Sequence, residues 1–118
     1  MSNFNMKIWG MALTPSNDLL LVPNASRLKQ INGSSGQVTD SVYSVDPLDP
    51  TAVHVTSDYK VIVGAYGSGR NVVIRMNKEG NHEKTYEHDR NKQPIFTYVR
   101  HITTTTNGTI FVVDILSD

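Results

Sequence analysis

A chain of 118 residues, 38% hydrophobic and 19% charged, is composed like a folded protein and sized for one domain or part of one. Its 11 basic and 11 acidic residues cancel, so no whole-chain field draws it to nucleic acid or to an anionic membrane. It has no cysteine, which excludes disulfides, thiolate zinc sites and cysteine nucleophiles.

No apolar run approaches the roughly 20 residues of a membrane helix. Met1 to Lys7 lacks the apolar stretch of a signal peptide. A soluble, cytoplasmic chain with no membrane partner is therefore expected. Asn-x-Ser/Thr triplets at Asn24, Asn32 and Asn107 fall where turns favour asparagine.

Helical periodicity is absent. Short apolar runs alternate instead with Gly, Asn, Asp, Ser and Pro, the pattern of strands joined by tight turns. In chain order the predicted strands are Lys7 to Thr14, Asp18 to Pro23, Ser26 to Asn32 and Gln37 to Val45. Then come Ala52 to Thr56, Lys60 to Ala65, Asn71 to Asn77 and Asn81 to His88. Val99 to Thr104 and Thr109 to Ile115 follow. The β-branched runs Val61-Ile62-Val63, Val72-Val73-Ile74 and Ile110-Phe111-Val112-Val113 support strand throughout.

The strands repeat. Thr14 to Val22 aligns without a gap on Thr56 to Gly64, and that segment on Thr105 to Val113. Each copy reads strand, Thr, polar turn, apolar strand. Gly36 and Gly80 open the fourth strands of the first two copies. Four strands in roughly 40 to 50 residues is the signature of a propeller blade. The expected fold is all-β: a partial β-propeller of two four-stranded antiparallel blades and a third begun. The blades are placed at 7–46, 50–90 and 95–118 of a single unit, 1–118. A closed ring needs at least about four blades, so a fragment is expected, with open blade faces prone to self-association.

The motif Thr-x-x-Asn-Gly-x-Ile-Phe-Val-Val-Asp at Thr104 to Asp114 resembles the repeated step of NHL-type propellers, as does the strand from Pro50 to Thr56. Asn17 to Leu21, Leu28 to Asn32 and Gly80 to Asp89 resemble the C-terminal propeller of invertebrate tripartite-motif proteins, molluscan ones among them. The resemblance implies a fragment of a six-bladed ring that binds protein partners, or in some members single-stranded RNA. It also implies a RING, B-boxes and a coiled coil in a full-length parent, where the propeller is the substrate-recruiting end of a ubiquitin ligase. None of that zinc-dependent machinery lies in this chain.

Chemistry-bearing groups are sparse. His82, Glu83, Glu87 and His88 read as a solvated outer strand, because alternate residues face opposite ways and Lys84 stands among them. Gly64 to Arg70 is Gly-rich but lacks the Gly-Lys-Ser/Thr ending of a phosphate loop, so it reads as a hairpin. No catalytic set emerges; a propeller hydrolase, with Asp114 at an inner-strand end as its one candidate carboxylate, is the remaining alternative. No enzyme activity, cofactor or metal is expected. In a propeller the second-to-third-strand loops and the connections between blades share one rim. That rim collects Arg27, Tyr66, Arg70, Arg90 and Lys92, with Asp46, Asp49 and Asp89. These five basic and aromatic residues are the candidate binding set, with protein the first expectation and single-stranded RNA the alternative. Trp9 is expected to pack near the open blade edge.

Overall fold

The computed structural model describes residues 8–88, 91–94, 99–104 and 110–114, with backbone alone at 101, 111, 113 and 114. Ten strands run in chain order: β1 Gly10–Leu13, β2 Leu19–Val22, β3 Arg27–Ile31, β4 Val38–Ser44, β5 Asp49–Val55, β6 Val61–Gly67, β7 Arg70–Met76, β8 His82–Tyr86, β9 Val99–Thr104 and β10 Ile110–Asp114. Strands β1 to β4 form one antiparallel sheet in sequential order, β5 to β8 a second, and β9 pairs with β10. Among the described residues there is no helix, and so none long and apolar enough to cross a membrane.

Burial explains the composition of each strand. β6 is buried from Val61 to Ala65 without alternation, because its sheet is covered on both faces. The edge strand β8 is exposed over His82 to Thr85 and carries charge, which blunts an open edge. One core lies between the first two sheets: Leu20, Val22, Leu28, Tyr43 and Val45 of the first meet Val53, Val61, Val63, Val72, Ile74 and Met76 of the second. A smaller one joins Ala52, Ile62 and Val73 of the second sheet to Val99 and Ile102 of β9.

The turns repeat atom for atom. Thr14 N donates to Asp18 O and Asn17 N to Thr14 O, at 2.8 and 3.0 Å; Thr56 N to Lys60 O and Tyr59 N to Thr56 O match them at 2.9 and 3.0 Å. Each threonine hydroxyl then accepts from the strand that follows, from Asp18 N at 3.1 Å and from Lys60 N at 2.8 Å. Asn17 and Tyr59 hold the same left-handed position, at φ 67° and 63°. Asparagine adopts that conformation readily and tyrosine does not. Gly36 and Gly80 do the same in the turns before the fourth strands.

The structure shifts some boundaries. β5 begins at Asp49, three residues before the expected start, because Asp49 and Pro50 pair with Tyr66 and Ala65 ahead of a register shift. A proline fits a strand at such an irregularity. The Gly-rich stretch is the expected hairpin: Gly67 pairs with Arg70 across Ser68 and Gly69, both at positive φ, the two-residue turn that matches strand twist.

Candidate functional site

Two rims result from this strand order. One carries the starts of the inner strands β1, β5 and β9, the β2–β3 and β6–β7 loops and the connections between sheets. The other carries the Thr14 and Thr56 turns and the turns before β4 and β8.

On the first rim the five predicted residues are placed separately. Arg70 opens β7 and forks onto Glu87, with Nε 2.9 Å from Oε2 and Nη2 2.8 Å from Oε1. The hydrogen bond from Arg70 holds the Glu87 carboxyl below the usual carboxylate range and raises Arg70 in turn. Arg27 opens β3 and donates from Nη1 to Ser41 O at 3.0 Å. Lys92 is exposed, at φ 60°, in the connection after β8. Arg90 lies outside the described residues, as does Asp89. Tyr66 is 45% exposed near the end of β6.

Tyr66 lines a defined concavity. It stands with Asp49 and Pro50 of the second sheet and with Trp9, Pro23 and Asn24 of the first around a notch of about 70 Å³. Trp9 is 51% exposed, not packed away as its strand suggested. It sits one residue before β1, where its N–H donates to Val22 O at 2.8 Å, so the rim and not the seam is its setting. The notch has room for about two waters, or the tip of one side chain. Its prolines and Trp9 escape a search that weighs charge first. The signal that would have found them is positional: all stand at inner-strand starts or second-strand ends, which share this rim.

The second rim holds a cleft of about 420 Å³ between the second sheet and the β9–β10 pair. Thr56, Asp58, Lys60, Ile62, Arg75 and Glu83 line one side, Thr104 and Ile110 the other. Lys60 Nζ lies 3.0 Å from both Glu83 oxygens. Arg75 Nε lies 3.4 Å from Glu83 Oε1 yet makes no hydrogen bond although buried. The Thr56 hydroxyl donates to Asp58, which holds that carboxyl low, and the Lys60 and Arg75 charges add to the effect. Two cations and two anions leave no net field for an ionic ligand. The corresponding stretch between the first two sheets is filled by Tyr43, Tyr59 and Lys78, so the cleft is the outer part of a seam between sheets.

Among the described residues no group of three His, Asp or Glu side chains could hold a metal ion. His82 Nε2 donates to Ser44 O at 2.9 Å, Glu83 takes Lys60 and Glu87 takes Arg70, so the apparent cluster points to three different partners. Asp114 contributes only its backbone to the described structure.

No family model matches the chain, and no curated protein matches it. Solved structures do. Over 95% of its length it superposes on the crystal structure of virginiamycin B lyase from Staphylococcus aureus, with a TM-score of 0.66 and 18% identity. Over 93% it superposes on a protein of unknown function from Bacteroides caccae, with a TM-score of 0.61 and 14% identity. The chain spans 36% and 39% of those two structures. One comparison corrects the expectation that the chain is no enzyme. A lyase carries this strand arrangement, so a fold without an evident catalytic set does not exclude catalysis. What these likenesses establish is the architecture: an all-β chain whose four-stranded antiparallel sheets form part of a β-propeller.

Proposed function

We propose that the first rim is a recognition surface for a polypeptide and that the notch between the first two sheets is its anchor point. One observation carries this reading. Trp9 and Tyr66, both large aromatics and both about half exposed, come from different sheets and frame one notch beside Pro23 and Pro50. Single exposed apolar residues are ordinary, whereas paired aromatics at a concavity are the usual composition of binding hot spots. Asp49 at the same notch favours a segment that inserts an apolar or a basic side chain.

The resemblance to NHL propellers of tripartite-motif proteins supports the same direction. In a longer parent of that kind this surface is the substrate-recruiting end of a ubiquitin ligase. The polypeptide reading is preferred to single-stranded RNA because two of the cations that RNA would need, Arg27 and Arg70, are engaged. Arg70 is forked onto Glu87, Arg27 donates to a backbone carbonyl, and an aspartate stands in the notch.

A displayed peptide library selected on the intact chain tests the proposal. Selected peptides should lose about thirtyfold or more in affinity with Trp9→Ala or Tyr66→Ala, the scale of a hot spot. Arg27→Ala should change little. Peptides that bind the aromatic variants as well as they bind the parent chain would defeat the reading. So would a short single-stranded RNA whose salt-sensitive binding disappears with Arg27→Ala and Arg70→Ala.

A further inference from the structure

The notch framed by Trp9 and Tyr66 has an acidic wall. Asp49 and Tyr66 are register partners across β5 and β6, so carboxylate and phenol ring are neighbours on one side of the sheet. Pro23 and Pro50 are buried, whereas Trp9, Asn24, Asp49 and Tyr66 are exposed. The prolines therefore form the base of the notch, and the aromatic rings and the carboxylate form its mouth.

Charge and size together narrow what can enter. Asp40 holds Lys29, Glu83 holds Lys60 and Glu87 holds Arg70, but among the described residues no cation pairs with Asp49. The faces of aromatic rings are themselves electronegative, so rings and carboxylate all favour a cation. An anionic side chain meets repulsion at the same place. The volume of about 70 Å³ admits a compact ammonium with its last methylene. The broader, planar guanidinium of arginine overfills it. An apolar tip of equal size fits the space but leaves the Asp49 carboxylate without a partner.

We infer, resting on the polypeptide reading of this notch, that it seats a lysine of the bound segment, the ammonium held by the Trp9 and Tyr66 rings and the Asp49 carboxylate. The methylenes of that lysine pass over the exposed rings, so the same aromatics bind the stem and the charge. Asp49 sets the choice of lysine over an uncharged side chain, and the rings supply most of the affinity.

Synthetic versions of peptides selected from a displayed library on the intact chain read the outcome. They should share a lysine, and norleucine in its place, which keeps the stem and drops the charge, should weaken binding about tenfold. Arginine there should restore only part of the loss. On Asp49→Asn, which should keep the parent's circular dichroism and melting, lysine and norleucine peptides should bind within about twofold of each other, so the two changes are coupled. Asp49→Ser replaces Asp49→Asn if that variant does not fold. Norleucine peptides that bind the parent chain as well as lysine peptides overturn the inference. So does a norleucine penalty that stays the same on Asp49→Asn, since the lysine then sits elsewhere. In both cases the polypeptide reading stands as long as Trp9→Ala and Tyr66→Ala still weaken the peptides. Peptides indifferent to both aromatic variants, or a selection that yields no binder, defeat that reading and the lysine seat with it.

Discussion

The two seams of this molecule are built from the same repeat, yet among the described residues only the first is sealed along its length. Between the first and second sheets the core runs from Val22 and Val63 out to Tyr43 and Met76. Its outer part is closed by polar bonds: Tyr43 Oη donates to Lys78 O at 2.7 Å, His82 Nε2 to Ser44 O, and Ser16 Oγ shares a hydrogen bond with Tyr59 Oη at 3.1 Å. Lys78 Nζ lies 5.2 Å above the Tyr59 ring, within cation–π range. Between the second sheet and β9–β10 only the inner part is dry. Beyond Ile62 and Ile110 the seam opens into the cleft lined by Asp58, Lys60, Arg75 and Glu83. Tyr59 has Gly108 in its place in the third repeat, which brings no side chain to such a closure. Among the described residues the second sheet therefore shares a larger core with the four-stranded first sheet than with the β9–β10 pair.

If that contrast is right, truncations on the two seams should differ. Leu20→Ala empties a fully buried position facing the second sheet, in surroundings fixed on all sides, and should cost about 2 to 5 kcal/mol. Ile102→Ala empties a comparably buried position on the other seam. There the cleft lets neighbours or water move in, so its cost should sit at the low end of the same range. Urea midpoints of the two variants check this. Equal losses would mean that the seams are equally well packed, and a larger loss at Ile102 would reverse the comparison.

A smaller effect separates the seams at one repeat position. Val22 of β2 fills the first seam, and its counterpart in β6 is Gly64. A Cβ at Gly64 would lie 2.4 Å from Val99 Cγ1 and 2.8 Å from its Cβ, so the missing side chain is what lets β9 approach. Thr51 Oγ1, which donates to Val99 O, fixes that approach. Gly64→Ala should therefore destabilise by about 1 to 3 kcal/mol, the scale of overpacking. Adding Val99→Ala should recover part of the loss. A double-mutant cycle measures the coupling, and additive effects would show that the close approach is not what fixes glycine here.

Much of this architecture was legible because turn chemistry is local. Threonine before a polar turn, Ser68-Gly69 between two apolar runs, and glycine ahead of the fourth strands each fix a chain reversal whatever lies elsewhere. The inward strands could be read as well, since a face covered on both sides leaves a continuous apolar run such as Val61 to Ala65. The closing residues could not. Nothing near Tyr59 announces a left-handed tyrosine, and only its alignment with Asn17 and Gly108 hints at one. The surroundings of the rim residues were hidden for a related reason. Arg70 and Arg27 look like free cations in sequence, but Glu87 and the Ser41 carbonyl reach them across strands, through pairings that no local pattern states. Trp9 and the two prolines carry no charge, and only their shared position at the rim marks them.

The finest distinction between the seams is a single phenol. Tyr43 is 3% exposed, and burial pushes its hydroxyl up to about 12 from an ordinary 10.0, with the neighbouring Tyr59 and then Glu79 adding to the shift. A raised value means that the fold favours the neutral phenol. Its contribution is complete below pH 10 and is lost as the pH rises toward 12, because the unfolded chain ionises first. Tyr43→Phe removes both the hydrogen bond to Lys78 and this titration. Near neutrality it should cost about 0.5 to 1.5 kcal/mol, the net worth of one such bond. Between pH 10 and 12 the parent chain should lose that advantage, so the urea midpoints of parent and Tyr43→Phe converge. Parallel decline of the two proteins through that window would show that Tyr43 is as solvated as an exposed tyrosine. The outer part of the first seam would then be no better sealed than the cleft opposite it.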